Sequence, residues 1–263
     1  MNAELLRQYL EFYRDLGIKT LYRQDARVGE SLADARGSDR SHDSNPSRHR
    51  EGAISAKSLT PEVGEVLPDM APAGDTLTAI QNDIGDCQRC RLHEGRNKIV
   101  FGVGSEHAPL VFVGEGPGAD EDEQGIPFVG RAGQLLTQMI EGTAKKEGIA
   151  LTRGDVYICN VVKCRPPGNR TPEPDEMEMC GQFLFRQLMT IRPKAICVLG
   201  GTAARAVTGH KEGVTKLRGK WFQWRDIPVM VTYHPSYLLR PYNQDAKREA
   251  WEDLKKVLHF VYD

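Results

Sequence analysis

Leu110-Val-Phe-Val-Gly-Glu-Gly-Pro-Gly118 is the stretch that decides the fold. A short apolar run closed at once by glycines and a proline reads as a strand buried on both faces that ends in a tight turn. Three more runs repeat the pattern, at Val156 to Val162, Ala195 to Leu199 and Val229 to Thr232. Helical periodicity covers 131–147, 173–190, 201–208 and 244–260. Strands alternating with helices predict an α/β fold, a mostly parallel sheet with helices on both faces. Ligands of such sheets sit in the crevice outside the carboxyl ends of the strands. The Gly114 to Gly118 turn, the run from Asn160 to Asn169 and His234-Pro-Ser236 all fall at those ends.

Outward from this core the composition is uneven. No aromatic residue occurs from Arg23 to Val100, so the packed domain is expected after that gap. Leu5, Leu6, Tyr9, Leu10, Phe12, Tyr13 and Leu16 mostly share one stripe and predict an amphipathic helix within 1–24. Residues 25–75, rich in Ser, Gly, Pro, Asp and Arg, read as a disordered linker, which leaves 76–263 as the domain. The stripe at 1–22 either docks on a partner such as a clamp or polymerase or packs back on its own domain. A net charge of −1 and 40% hydrophobic residues exclude a wholly disordered, collagen-like or histone-like protein. No apolar run approaches the roughly 20 residues of a membrane span. The first residues lack the basic and apolar regions of a secretory signal, so the expected location is cytoplasmic.

In a reducing compartment six cysteines serve as metal ligands or core residues sooner than as disulfides. Cys87 and Cys90 have a two-residue gap that lets both thiolates reach one metal centre; Cys164 and Cys180 would complete a four-thiolate site. Spacing alone does not separate zinc from an iron-sulfur cluster, and on these residues alone zinc is the preferred reading. Cys159 and Cys197 sit inside apolar strand runs and read as core.

The Gly-rich turn has the look of a dinucleotide fingerprint. Pro117 and the acidic run 120–123, however, stand where a pyrophosphate needs a helix N-terminus. Phe128, set in a Gly/Pro-rich loop, is a candidate stacking platform for a base. Asn160 at a strand end can offer both a donor and an acceptor to a base edge. Leu238, Leu239 and Arg240 follow His234 and make a candidate wedge for a base stack. Six Lys/Arg against one acid between Arg205 and Arg225, with Lys163, Arg165, Arg170 and Arg240, suggest a phosphate track.

Together these segments resemble the family 4 uracil-DNA glycosylases, the iron-sulfur branch of their superfamily. The resemblance covers roughly 76–260 and rests on Cys87 and Cys90, Gly114 to Gly118, Pro127 to Gly133, Asn160 to Arg170, Cys180 and His234 to Arg240 in the family order. It implies a three-layer α/β/α fold and excision of uracil from single- or double-stranded DNA. It also implies a [4Fe-4S] cluster on Cys87, Cys90, Cys164 and Cys180, reversing the preference for zinc. Glu115, Asn169 and His234 are the implied catalytic residues. Gly116, Phe128, Asn160, Leu238, Leu239 and Arg240 are the implied substrate contacts, with Glu121 guarding the position of the thymine methyl. A related branch that traps its product covalently carries a histidine after the second motif; Pro166 to Arg170 has none, so turnover is expected. The alternative from another class is a non-catalytic iron-sulfur or zinc module that binds damaged or single-stranded DNA.

Overall fold

The computed structural model describes residues 74–263. The helix expected within 1–24, and all of the linker expected over 25–75 except Gly74 and Asp75, lie outside the described residues. The strands are β1 (Val103–Gly104), β2 (Leu110–Gly114), β3 (Tyr157–Asn160), β4 (Ala195–Leu199), β5 (Trp221–Trp224) and β6 (Ile227–Thr232). They form one sheet in the order β1-β3-β2-β4-β6-β5. The inner four strands are parallel, and β1 and β5 close the edges antiparallel. All four apolar runs therefore became strands.

The helices are α1 (Leu77–Ile84), α2 (Ala119–Gln124), α3 (Arg131–Lys146), α4 (Pro174–Ile191), α5 (Gly201–Thr208), α6 (Val214–Leu217), α7 (Pro235–Leu238) and α8 (Gln244–Tyr262). Alternate residues of a strand point to opposite faces. Val111, Val113, Cys159, Ile196, Val198, Val229 and Val231 pack with α1, α4 and α5. Leu110, Phe112, Ile158, Cys197, Leu199 and Met230 pack on the other face with α3 and α8. The result is the expected three-layer α/β/α arrangement, with Cys159 and Cys197 in its core. Burying a side chain such as Leu110 or Phe112 contributes about 1.5–3 kcal/mol, which is what holds the two helical layers to the sheet.

Two strands escaped the sequence reading. β1 is only two residues long, and β5 lies inside the stretch taken as a basic track. An edge strand with one wet face carries no continuous apolar run: Trp221 and Gln223 are exposed while Trp224 is buried.

Candidate active site

β2 and β3 end side by side, with Gly114 opposite Asn160. A Cβ on Gly114 would lie 2.4 Å from Asn160 Oδ1 and 2.6 Å from Phe128 Cζ, so glycine there lets three groups meet. The turn that follows is stitched to the exit of β3. Val161 N–H donates to the Gly114 carbonyl at 2.9 Å and Val162 N–H to that of Glu115 at 3.2 Å. A Cβ on Gly116 would stand 2.8 Å from Val162 Cγ2. Both contacts hold Glu115 at the mouth of a cleft of about 470 Å³. Gly116, Glu121, Phe128, Asn160, Asn169, Arg170, Gly200, His234 and Ser236 line the same cleft.

Asn160 is 1% exposed, and its Oδ1 is a buried acceptor without a hydrogen-bond partner. Buried polar atoms are normally paired, so this one is available to a donor entering the cleft. Phe128 is 6% exposed and its backbone is left-handed, with φ 54°. Its loop is held from two sides. Glu121 Oε1 accepts from Val129 N–H and Gly130 N–H at 2.9 Å, and its Oε2 accepts from Gly118 N–H at 3.1 Å. Arg153 Nη2 donates to the Pro127 carbonyl at 2.7 Å, and Nη1 to Thr137 Oγ1 at 3.0 Å. Arg153 was invisible in the sequence because it stands alone between elements.

His234 caps α7 and its ring lies 5.6 Å from that of Phe128. Nδ1 accepts the Ser236 N–H at 3.2 Å and stands 2.8 Å from Ser236 Oγ. Burial pulls the imidazole down to about 4, against the attraction of the Glu121 carboxylate, so it is neutral near pH 7. Asn169 takes a left-handed conformation, φ 56°, that asparagine tolerates. Its Oδ1 accepts from Arg165 Nε at 2.7 Å. Glu115 is half-buried, with no side-chain hydrogen bond or ion pair among the described residues.

A model of the uracil DNA glycosylase superfamily matches residues 101–255. The chain belongs to that superfamily. It is 45% identical over 189 residues to the type-4 uracil-DNA glycosylase of Thermotoga maritima, covering 71% of this chain and 95% of that protein. It is 42% identical over 191 residues to the type-4 enzyme of Archaeoglobus fulgidus, covering 70% and 92%. A type-5 uracil-DNA glycosylase of Pyrobaculum aerophilum is 36% identical over 105 residues, covering 39% and 44%.

In this superfamily member the second cluster of sequence-predicted residues also assembles. Cys87, Cys90, Cys164 and Cys180 line one small cavity between α1, α4 and the exit of β3, together with Arg89, Arg96 and Lys163. Lys163 N–H donates to Cys180 Sγ at 3.2 Å, and Arg96 Nη1 donates to Cys164 Sγ at 3.5 Å and to the Cys87 carbonyl at 2.6 Å. Burial pushes Cys164 up to about 11 and Cys180 up to about 12. Such thiols become thiolates when a bound cation offsets the burial. Among the described residues no three His, Cys, Asp or Glu side chains converge on the position of a single ion.

Other placements correct the sequence reading. Leu238 is 1% exposed and packs with Tyr233, Ala246 and Ala250, so here it lies in the core and not at the surface where a wedge was expected. Leu239 is half-buried and Arg240 exposed. Lys163 is 1% exposed and its ammonium group is engaged inside the fold: its Nζ donates to the Asn160 carbonyl at 2.8 Å and to Gln187 Oε1 at 2.6 Å. The basic run is not one track either. Arg218 is bound to Asp253 and Glu249, and Arg225 lies in the turn between β5 and β6, at the end of the sheet opposite the cleft. Arg170 lines the cleft but pairs with Glu176, donating through Nη1 at 2.8 Å and Nη2 at 2.6 Å. No helix among the described residues is long and apolar enough to cross a membrane.

Proposed function

We propose that this chain excises uracil from DNA by hydrolysing its N-glycosidic bond, with residues 76–263 as the glycosylase domain. The observation that carries the reading is the unpaired, buried Oδ1 of Asn160 beside Phe128 and a neutral His234. A base inside a duplex is out of reach, so uracil must leave the stack at a cost of a few kcal/mol. Stacking on Phe128 returns about 1–3 kcal/mol of this. Asn160 Oδ1 accepts from uracil N3–H while the amide donates to O4. Cytosine would set acceptor against acceptor and donor against donor, at about 1–3 kcal/mol for each unmade bond.

Bond cleavage leaves negative charge on the base and positive charge on the sugar. With Nδ1 spent on Ser236, His234 carries its proton on Nε2 and donates it as a hydrogen bond to uracil O2 as the charge develops. Glu115, unpaired and facing the cleft, offsets the positive sugar. Asn169, its Oδ1 engaged by Arg165, has its amide free to help Glu115 position the attacking water. Glu121 acts through the Phe128 loop, since both its oxygens are taken by main-chain N–H groups; a place near the base C5 is compatible with that. Gly116 lets the turn approach the base, Arg240 meets a backbone phosphate, and Leu239 lies beside it.

Cys87, Cys90, Cys164 and Cys180 hold a [4Fe-4S] cluster in this reading. Four thiols around one cavity, with N–H groups aimed at two of the sulfurs, support this reading, since hydrogen bonds to the sulfurs are one means by which a protein tunes such a cluster. When bound, the cluster supplies a clip between the turn after α1, the exit of β3 and α4. The stripe at 1–22 is assigned to docking on a partner such as a clamp or polymerase. The deciding experiment incubates the chain with a uracil-containing oligonucleotide, followed by alkali: cleavage at uracil and not at thymine or cytosine is expected. Intact strands would overturn the function, and equal cleavage by His234→Ala would overturn the site.

A further inference from the structure

Asn160 closes β3, and its carbonyl points away from β2. Successive residues of a strand turn their main-chain groups to opposite sides, and Val161 N–H donates to the Gly114 carbonyl on β2, so the Asn160 carbonyl faces the side of β1. β1 pairs only with Tyr157 and Ile158 and stops short of it. Lys163 and Gln187 fill the missing rungs. Lys163 Nζ donates to the Asn160 carbonyl at 2.8 Å and to Gln187 Oε1 at 2.6 Å. Gln187, reaching in from α4, donates Nε2 to the Phe101 carbonyl at 3.0 Å and to the Tyr157 hydroxyl at 3.1 Å. Val100 N–H closes the circuit on the Lys163 carbonyl at 2.8 Å. Side chains thus join the chain before β1 to the end of β3. Lys163 and Gln187 are both buried, and the two oxygens that the ammonium group meets are uncharged.

We propose that Lys163, held by Gln187, is the positioning residue that aims Asn160 at the base, an assignment that rests on the uracil-excision reading above. Asn160 Oδ1 has no hydrogen-bond partner, so no donor among the described residues sets its direction. Gly114 and Phe128 confine the side chain, and what remains to fix it is the main chain that carries it. The bond from Lys163 sets the peptide plane that follows Asn160. A tilt of that plane swings Oδ1, and a hydrogen bond weakens steeply as its length and angle leave the optimum. A buried ammonium group that meets only neutral oxygens is costly, and an apolar side chain of similar length would fill the space without that cost. The rigidity of a buried network accounts for its presence: both N–H donors and the carbonyl of Gln187 are engaged. Lys163 N–H also donates to Cys180 Sγ at 3.2 Å, which anchors the residue from the cysteine side.

The test compares affinities for two single strands that differ in one uncleavable nucleotide, 2′-fluoro-2′-deoxyuridine or 2′-fluoro-2′-deoxycytidine. Backbone contacts are common to both strands, so the ratio of affinities reports edge reading and is indifferent to how much of a sample is folded. The unaltered chain should prefer the uracil strand. Lys163→Met is expected to lose about tenfold of that preference, as one weakened hydrogen bond does, and about 10–100-fold of kcat/KM for uracil excision. In an Asn160→Ala background the same substitution should change the preference less than about twofold, since a residue that acts through Asn160 then has nothing to aim. Gln187→Met should lose about threefold in the same direction. Metal content and melting temperature are measured on each variant, and if Lys163→Met loses its metal or melts early, Gln187→Met carries the comparison on the same criteria. An unchanged preference in a folded variant, or an equal loss in the Asn160→Ala background, would overturn the assignment. An unaltered chain that neither excises uracil nor prefers the uracil strand would instead sink the uracil reading itself.

Discussion

The Ser236 main-chain N–H lies 3.2 Å from His234 Nδ1, and this bond leaves Nε2 as the nitrogen that carries the imidazole proton toward the cleft. A second proton on His234 would have to enter at Nδ1, against that N–H donor.

The first prediction is therefore an acid limit set by His234. Burial lowers its folded pKa from 6.5 to about 4. The unfolded chain then binds more protons in that window, so this group's contribution to stability is full above about 6.5 and is lost as pH falls toward 4. The loss is about 3 kcal/mol at most. Excision of a short single strand should hold from pH 8 to about 5 and fail near 4, as a kcat profile would show. A break at 6.5 would mean that the ring is solvated. His234→Ala should lower kcat about 100- to 1,000-fold with little change in KM, as the loss of a donor that acts on developing charge does.

Asn160 supports the second prediction. Asn160→Asp keeps the volume between Gly114 and Phe128 but replaces the amide donor. Uracil excision should fall at least about 100-fold, because an ionised carboxylate loses the donor to O4 and is itself buried. Protonated, the acid can donate to cytosine N3, so the ratio of cytosine to uracil cleavage should rise as pH is lowered. A constant ratio across pH would remove Asn160 from edge reading.

The parts of the site that sequence revealed are those where chemistry and backbone geometry coincide. Glycines at 114 and 116, an asparagine at a strand end and cysteines two residues apart mark their own roles through spacing. The burial of Leu238 could not be read this way. Two adjacent leucines at the end of a one-turn helix have no periodicity to show which faces inward, and only the packing of Tyr233 and Ala246 decides it. Lys163 was misplaced for a related reason. Charge suggests solvent until a buried carbonyl and Gln187 are found to satisfy the ammonium group. Arg153 and Glu121 hold the Phe128 loop through main-chain groups, which sequence does not display.

That loop supplies the third prediction. A Cβ on Gly133 would lie 1.9 Å from the Phe128 carbonyl carbon and oxygen, a backbone clash that no rotamer relieves. Gly133→Ala should push the Phe128 loop outward, raise KM for uracil DNA by about tenfold or more and lower the melting temperature. Glu121→Gln should act more mildly. One amide oxygen cannot accept all three N–H bonds, and each one lost costs about 1–3 kcal/mol. Unchanged kinetics in both variants would show that the loop is held by other means.

The fourth prediction concerns the cysteines. If the centre on Cys87, Cys90, Cys164 and Cys180 holds four irons, chain purified without oxygen should be brown, with about four irons per molecule, and should bleach under oxidation or chelation. Colourless protein with one zinc would reject the cluster. Cys164→Ala should remove most of the iron and destabilise the fold, because it frees the exit of β3 from α1 and α4 while leaving three thiols in a dry cavity. Cys197→Ala, whose thiol packs in the core on the far face of the sheet, should keep its iron and lose only the packing of one small side chain. The exit of β3 also carries Asn160, so loss of iron should weaken discrimination between uracil and cytosine as well as stability. An iron-free chain that still excises uracil with unchanged selectivity would confine the cluster to holding the fold.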